Sequence, residues 1–461
     1  MLALLDAITR ETIVFASVGL LVGGIDDLLV DLIFVVRLLL YRGNGTRTLA
    51  DLPSGGGGTI VVFVPAWDES RVIGGMLRAA LARFDHAEFR IYVGLYPNDR
   101  GTIDAAATVA ERDDRVTLVI GPRDGPTTKA DCLNALWRAL ARDEAAGLAV
   151  RAVVFHDAED VVHPAELRVF DALIDEHAVV QLPVQPLVKR GARLVSGHYA
   201  DEFSEAHLKQ MVVRTAVGAG MPLAGTGCAI APAMLRRLAE ARGGDPFDPA
   251  SLVEDYELGL TIADAGGRAC FARVRDAAGD IVAVRAYFPD TLHAAVRQKA
   301  RWMTGIALAG WDRTGWSRPL AIADHWMRMR DRRAPLSIVV LAAAYLALVA
   351  WSIAGFVHWV VDDDAAILSA AWWPLLVANA AILAWRIVVR AAVTAHVYDA
   401  REAWWSVPRL VVGNYVALLA ARRAGWRYLM MLRGEALVWD KTRHDFPDLD
   451  GPAAGGNATT R

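Results

Sequence analysis

Two long apolar segments in the last third of the chain restrict its fold more than any other feature. Residues 336–361 and 366–389 are both mainly apolar, and each is long enough to cross roughly 30 Å of hydrocarbon at about 1.5 Å per helical residue. Asp362, Asp363 and Asp364 separate them. Arginines precede the first segment and follow the second, and cytoplasmic ends of membrane helices are enriched in such residues. The pattern predicts a transmembrane hairpin with an acidic outer turn and both open ends in the cytoplasm.

A further apolar stretch, residues 13–40, is long enough to span a membrane, although three aspartates interrupt it. The alternative is a cleaved signal peptide. Asp6 and Glu11 argue against that alternative, because a signal peptide begins with a positively charged region. A lipid-facing carboxylate is costly, so we expect the three aspartates to lie near the inner interface or to face other helices. They are Asp26, Asp27 and Asp31.

The third apolar piece near the C-terminus, residues 404–421, contains Pro408, Arg409 and Asn414. We interpret it as an interfacial helix, because a further crossing would carry the basic residues 422–427 to the outside. A true membrane span remains the alternative.

Composition changes along the chain indicate its organisation. Hydrophobic residues make up 54% of the chain, and 13 of the 15 tryptophans follow residue 300, as expected where a chain meets a membrane interface. The net charge of -3 offers no basic field for a nucleic acid partner. We divide the chain into an N-terminal membrane segment, a cytoplasmic domain with interfacial helices at its end, a transmembrane hairpin, and an interfacial helix with a C-terminal tail, at residues 1–50, 51–330, 331–400 and 401–461.

The cytoplasmic domain alternates short apolar strands with helical segments, which is typical of an α/β fold with a mostly parallel, Rossmann-like sheet. We predict buried strands at residues 59–65, 89–96, 115–120, 152–157 and 178–184, and helices at residues 70–83 and 129–148.

Polar residues cluster where the predicted strands end, which is where open α/β sheets bind ligands. The strings are VPAWDES, YPND and HDAED, followed by EDYELG and QKARW later in the domain. Taken singly each is ambiguous. Asp68 and Glu69 are as consistent with helix capping as with function, and Asp99 alone favours a turn.

In this order the strings resemble the family 2 glycosyltransferases with the GT-A fold, of the membrane-bound type that includes the processive polysaccharide synthases. Within that group they are similar to the bacteriophage N4 adsorption protein B family, and the resemblance covers residues 20–447. It implies a transferase in the bacterial inner membrane, multi-pass, with its catalytic domain in the cytoplasm. The implied donor is a UDP-sugar, with UDP-N-acetylhexosamine as the leading choice.

A departing nucleoside diphosphate carries negative charge that a divalent cation can offset, and hard oxygen ligands suit Mg²⁺ or Mn²⁺. By the resemblance Asp157 and Glu159 occupy the metal-binding position. The neighbouring Asp160 can equally cap the next helix, and His156 is most simply a buried strand-end histidine. The resemblance also implies that the nucleoside, its base, and the ribose and diphosphate are contacted by Pro65, Ala66, Glu69, Asp99, Lys129, Asp131, Asn134 and Asp157.

Inverting transfer needs a carboxylate that takes the proton of the attacking hydroxyl, and we assign this role to Asp255. Adjacent side chains at a helix start are not expected to point into one pocket, so one of the two is expected to be structural, and the resemblance implies that it is Glu254. Gln298, Arg301 and Trp302 stand at i, i+3 and i+4, on one face of a helix. Arginine can neutralise the diphosphate and the indole can stack on a sugar. Alone, Trp302 favours a membrane-interface anchor, but the motif in register favours a role in the site.

The sequence therefore predicts a transferase that builds a surface or secreted polysaccharide, with membrane lipid and the polysaccharide acceptor as partners, and a periplasmic or outer-membrane partner for export. Two alternatives remain open. One is a transferase that adds a single sugar to a lipid-linked acceptor. The other is a catalytically silent receptor or scaffold in a phage entry pathway.

Overall fold

The computed structural model of the protein describes residues 2–40, 46–362, 367–435 and 445–447. Two aspartates of the acidic turn, Asp363 and Asp364, and nearly all of the C-terminal tail lie outside the described residues.

Eleven strands are present among the described residues. They are β1 (Arg47–Thr48), β2 (Thr59–Pro65), β3 (Phe89–Leu95), β4 (Val116–Ile120), β5 (Val150–Phe155), β6 (Val179–Gln181), β7 (Val184–Leu187), β8 (Cys228–Ile230), β9 (Ala269–Phe271), β10 (Val274–Arg275) and β11 (Val284–Tyr287).

The described α-helices alternate with these strands and then continue alone to the C-terminal region. They are α1 (Leu2–Leu40), α2 (Ile73–Arg83), α3 (Arg100–Ala110), α4 (Lys129–Ala145), α5 (Glu166–Leu173), α6 (Val195–Glu205), α7 (Met211–Ala216), α8 (Pro232–Ala241), α9 (Glu254–Asp264), α10 (Leu292–Trp302), α11 (Gly310–Arg313), α12 (Ile322–Arg332), α13 (Ala334–Val361), α14 (Trp373–Val397) and α15 (Ala400–Leu432).

Seven strands form the central sheet, in the order β4-β3-β2-β5-β8-β6-β9. Every neighbouring pair is parallel except the two that involve β8, which runs antiparallel to β5 and β6. Both faces of β2 are buried, because Ile60 and Val62 pack in one core cluster and Val61 and Phe63 in another. Burial on both faces explains the continuous apolar run of this strand. The predicted α/β domain with a mostly parallel sheet is confirmed.

The predicted strand at residues 178–184 is wrong as a single element. β6 ends at Gln181, and β7 begins at Val184 and pairs with β11 in a separate two-stranded sheet. Pro183 lies between them, and proline has no N–H to donate to a continuing ladder. The chain changes sheets at this point, and β7 pairs in parallel with β11.

Three described helices are long and apolar enough to cross a membrane: Leu2–Leu40, Ala334–Val361 and Ala370–Val397. α1 packs lengthwise against α13 and α14. The first helix is longer than the apolar stretch at residues 13–40, and no break occurs at its aspartates.

The aspartates of α1 contact cationic and indole side chains of other elements. Asp26 accepts a hydrogen bond from Trp326 Nε1 at 2.6 Å and pairs with arginines of the α12–α13 junction. Asp31 lies 2.5 Å from Lys209 Nζ and accepts from Trp385 Nε1 at 2.8 Å. Because each carboxylate has a charged partner, α1 is joined to the α/β domain at its C-terminal half.

Residues 404–421 belong to one continuous helix, α15, which contains Pro408. This helix packs against α6, α10 and α14. Its Arg409 is fully buried, donates to the Arg193 carbonyl at 2.9 Å and pairs with Asp201 and Glu402. A buried arginine in such a network fixes α15 on the α/β domain.

Candidate active site

A cleft opens at the carboxyl ends of β2 and β5, between the central sheet and helices α4, α9 and α10. Ten residues predicted to form the site line it together. They are Pro65, Glu69, Lys129, Asp157, Glu159, Glu254, Asp255, Gln298, Arg301 and Trp302.

Lys129 lies among the carboxylates of this cleft. It is the first residue of α4, whose preceding Thr128 caps the helix by accepting from the Asp131 N–H at 3.2 Å. Its Nζ lies 2.6 Å from Asp157 Oδ1 and 3.6 Å from Glu254 Oε1. Burial lowers the pKa of Lys129, but Asp157, Glu254 and Asp255 outweigh burial and raise it above its ordinary value. The ammonium therefore stays charged and balances the acids around it.

The loop after β5 is held by a buried hydrogen-bond network. His156 is fully buried, with Nδ1 2.9 Å from Asp160 and Nε2 2.6 Å from Glu166. Burial lowers the pKa of His156, yet the two carboxylates raise it to about 10. Asp160 also accepts from the Asp157 N–H at 2.8 Å and from the Thr226 hydroxyl. Asp160 thus positions the loop and does not cap α5, whose N-cap is Ala165.

Asp157 faces the cleft from this loop, with its side chain one-third exposed. Burial raises its pKa, Lys129 opposes the rise, and the nearby Glu159 and Asp160 carboxylates add to it. Several acids crowded at one strand end are unfavourable without a cation. The arrangement therefore suits binding of positive charge.

Glu254 and Asp255 both line the cleft, which corrects the expectation that one of them points away from it. α9 begins at Glu254, and the preceding Val253 has a non-helical backbone, so the pair stands at the end of the helix and not on its flank. Burial raises the pKa of Asp255, and the adjacent Glu254 adds to the rise while Lys129 opposes it. A carboxylate with a raised pKa is a better proton acceptor.

Gly225 gives Asp255 the space that it occupies. Its φ is +77°, and a Cβ at this position would lie 2.5 Å from Asp255 Oδ2. Its carbonyl accepts from Lys129 Nζ at 3.4 Å. Gln181 holds the same loop, because its amide donates to the Thr226 carbonyl at 2.9 Å and accepts from the Ala224 N–H at 3.0 Å. Gln181 begins the string QLPV in the sequence, and we assigned it no role from that string.

Helix α10 forms the opposite wall. Arg301 Nη1 donates to the Leu252 carbonyl at 3.4 Å. Gln298 Oε1 is buried and has no hydrogen-bond partner among the described residues. Trp302 contacts Tyr199 and Phe203, with ring centroids 6.2 and 6.4 Å away. Trp302 therefore packs inside the protein, and the buried amide oxygen of Gln298 remains available to a donor in the cleft.

A larger cavity of about 460 Å³ adjoins the cleft, and Asp255 and Trp302 line both. It extends to Val30 on α1 and to Arg330 on α12. The candidate base therefore faces two spaces, one on the sheet side and one on the side of the membrane helices.

Four predicted site residues do not line the cleft. Asn134 is fully buried and exchanges hydrogen bonds with the backbone of Phe247 at 2.9 and 3.1 Å, so it ties a loop to α4. Asp131 pairs with Arg123. Asp99 caps α3 and accepts from the Asp68 N–H at 2.6 Å. Ala66 is fully buried next to β3.

Comparison with known proteins gives a family and a fold. The model of the family described as glycosyltransferase like family 2 matches residues 57–305. The chain is 34% identical over 472 residues to the bacteriophage adsorption protein B of Escherichia coli (strain K12) and to the bacteriophage N4 adsorption protein B of Escherichia coli O157:H7, covering 96% of this chain. It spans 62% of the length of each of these relatives.

Among solved structures, the chain is similar to the mannosyltransferase PcManGT from Pyrobaculum calidifontis, solved in complex with GDP-Man and Mn²⁺. The TM-score is 0.53 at 17% identity, and the match covers 92% of this chain and 99% of that one. At this identity the likeness shows the fold, which is GT-A.

Proposed function

We propose that the chain, which belongs to glycosyltransferase like family 2, is an inverting, metal-dependent transferase. It moves a sugar from a UDP-sugar to a growing surface or secreted polysaccharide. The observation that carries the proposal is one cleft in which Lys129 and Arg301 lie with Asp157, Glu159 and Asp255. Cationic groups for a departing diphosphate and a carboxylate for the acceptor are what such a transfer requires.

Donor binding is assigned to the cleft, between Lys129 on α4 and Arg301 on α10. Lys129 keeps its charge there, and Arg301 can form paired hydrogen bonds to phosphate oxygens. The choice of UDP, and of an N-acetylhexosamine such as N-acetylglucosamine or N-acetylmannosamine, follows the resemblance to the polysaccharide synthases.

Asp157 and Glu159 fit a divalent cation. Among the described residues no group of three or more His, Cys, Asp or Glu forms a complete metal cage. Magnesium is commonly held by one or two carboxylates, with substrate phosphates and water as the remaining ligands, so two acids beside a diphosphate site are sufficient. A bound Mg²⁺ or Mn²⁺ ion offsets the charge that develops on the departing diphosphate.

The acceptor is assigned to the cavity on the other side of Asp255. An inverting attack comes from the face of the sugar opposite the diphosphate, so the base must face a space distinct from the diphosphate site. Asp255 meets this condition, since it lines both the cleft and the cavity of about 460 Å³. Trp302, which lines both spaces, offers an indole surface on which a sugar ring can stack.

We place the protein in the bacterial inner membrane, with the catalytic domain in the cytoplasm and lipid around the three apolar helices. A periplasmic or outer-membrane partner would receive an exported polysaccharide. A role in a phage receptor pathway is part of the proposal, because the curated relatives are phage adsorption proteins.

The proposal is tested by purifying the protein with lipid and screening UDP-sugars for UDP release and product size. Long products support processive synthesis. Addition of one sugar supports the alternative of a lipid-linked acceptor. Absence of turnover with every donor contradicts the proposal and favours a silent scaffold.

A further inference from the structure

A small cavity outside the active site lies between β7, the segment from β10 to β11, α6 and the last turn of α14. Its volume is about 100 Å³, well below the roughly 300–1,000 Å³ typical of pockets for drug-sized molecules. It therefore has room for a compact chemical group and not for a whole nucleotide sugar.

The lining of this cavity is strongly basic. Arg273, Arg275 and Arg285 contribute to it, against the single carboxylate of Asp280. Arg273 is 6% exposed, and burial, with the neighbouring Arg275 adding to the effect, lowers its pKa to about 10. Like charges gathered in a partly buried space destabilise one another, and a bound anion would relieve that repulsion.

A second, independent observation concerns Ser204. This residue is 4% exposed and lines the cavity from α6. Its hydroxyl oxygen is buried and has no hydrogen-bond partner among the described residues. Buried hydroxyl groups normally have a partner, so a ligand with acceptor oxygens would complete the site.

The position of the cavity adds a third observation. His396 and Val397 line it from the end of α14, which is one of the three helices able to cross a membrane. The cavity thus lies against the C-terminal end of this helix, and lipid phosphates are found where such helices leave the hydrocarbon. Val184 and Phe203 line both this cavity and the active-site cleft.

We propose that this cavity binds a phosphate-class anion, supplied by the headgroup of a membrane lipid or by a soluble phosphate compound. The tetrahedral acceptor oxygens of phosphate match the guanidinium donors of the arginines and the hydroxyl of Ser204. The proposal does not depend on sugar transfer, because none of its residues is assigned to that reaction.

Two binding measurements on the full chain distinguish the sources of the anion. The first is calorimetric titration of the detergent-solubilised protein with inorganic phosphate, against chloride at equal ionic strength. The second is the melting temperature in nanodiscs of phosphatidylglycerol and of phosphatidylcholine.

The variants are Arg275→Gln and Arg285→Gln, and circular dichroism checks that each is folded. Arg275 also donates a hydrogen bond to the Gly279 carbonyl, so Arg275→Gln could fail to fold for that reason. In that case Arg285→Gln alone tests anion binding. Lys129→Gln removes a cation from the active-site cleft, and Arg422→Gln removes an exposed one from α15. These two controls separate the proposed cavity from the cleft and from general attraction to anionic lipid.

Loss of a charged hydrogen-bonding partner should weaken binding roughly tenfold or more. Phosphate binding that weakens in Arg275→Gln and Arg285→Gln but persists in Lys129→Gln supports a soluble ligand. If phosphatidylglycerol stabilises the wild type and Arg422→Gln but not Arg275→Gln or Arg285→Gln, the ligand is a lipid headgroup. The proposal is overturned if the wild type responds to neither probe, or if only the controls change the response.

Discussion

Lys129 holds together acids that would otherwise repel one another. Its ammonium lies 2.6 Å from Asp157 and 3.6 Å from Glu254, and the same charge opposes the rise in the pKa of Asp255. A cation so surrounded stays protonated. A bound metal ion would compete with Lys129 for the carboxylates, and a diphosphate would compete with the carboxylates for Lys129. The charge balance around Lys129 is the reason for assigning Lys129 to donor binding and Asp255 to the role of base.

Replacing Asp255 by asparagine tests the assignment of the base. Asp255→Asn keeps the size and most hydrogen bonds but cannot accept a proton, so transfer should fall by roughly two to four orders of magnitude while donor affinity changes little. Turnover and calorimetric binding of the UDP-sugar are measured together. Glu254→Gln is the matched control and should reduce the chemical step less. Near-normal turnover in Asp255→Asn would move the base elsewhere, and lost donor binding would make Asp255 a donor contact.

Sequence reasoning could place Asp157, Glu159 and Asp255 in one cleft because each follows a strand end or begins a helix in the resembling strings. It could not reveal that Asn134 is buried, since its partner Phe247 stands 113 positions along the chain. Glu166 stands only ten positions after His156, but it was missed as well, because their contact depends on how the intervening loop folds. Residues that act through long-range packing leave no local signal.

The loop of residues 225–227 shows how an element shapes the site. Gly225 has a positive φ and lies so close to Asp255 that any side chain would meet the carboxylate. The side-chain amide of Gln181, at the end of β6, holds the loop by hydrogen bonds to the loop's backbone. The loop therefore sets the position of the candidate base.

Replacing each of two glycines by alanine distinguishes the effect of backbone strain from the effect of crowding Asp255. Gly218 has φ +73° with open space around its Cβ position, whereas the Cβ of alanine at 225 would press on Asp255. Gly225→Ala and Gly218→Ala should each cost about 1 to 2 kcal/mol in stability, from the left-handed backbone. Only Gly225→Ala should lose most of its transferase activity. Equal activity in the two variants, measured beside melting temperature, would show that the loop does not position Asp255.

Arg409 provides a test of how helix α15 is held against α6. Arg409 is fully buried against Asp201, whose pKa burial raises to about 6 although Arg409 opposes the rise. Arg409→Met removes the cation that pairs with Asp201 and Glu402, of which Glu402 keeps Arg193 at 3.4 Å, and should destabilise the protein by about 3 to 5 kcal/mol. Arg422→Met, at an exposed position on the same helix, should change the free energy of unfolding little. Equal melting temperatures for the two variants would contradict the role of Arg409.

At the level of elements, the parallel strands were predictable because burial on both faces leaves continuous apolar runs. β8 was not, since its three residues are too short to give a pattern and it runs antiparallel within the sheet. The switch of sheets at Pro183 likewise depends on β11, about a hundred residues later in the chain.

The whole molecule joins a catalytic domain to membrane helices through charged contacts. Asp26, Asp27 and Asp31 on α1 pair with cations of α12, α14 and the segment after α6. Composition alone could predict apolar spans, but it could not say that the aspartates within one of them dock the α/β domain. The same contacts place the wall of the acceptor cavity next to α1.

Topology follows from the charges that flank the helices. A reporter fused at Asp363, which lies outside the described residues, should be periplasmic, and reporters at Asp51 and Arg461 should be cytoplasmic, because arginines flank the inner ends. Paired alkaline phosphatase and green fluorescent protein fusions measure this. A periplasmic C-terminus would show that residues 404–421 cross the membrane.

The central claim is that the cleft holds a nucleotide sugar with a divalent cation, and UDP release by the lipid-embedded protein tests it most directly. With the UDP-sugar that it uses, release should vanish in chelator and return with Mg²⁺ or Mn²⁺, while Asp157→Asn should lose donor affinity and rate together. The exposed pair of Arg138 and Asp245 offers a control in Asp245→Asn, which should release UDP as the wild type does. Full UDP release in chelator, or an Asp157→Asn variant with unchanged rate and affinity, would contradict the account.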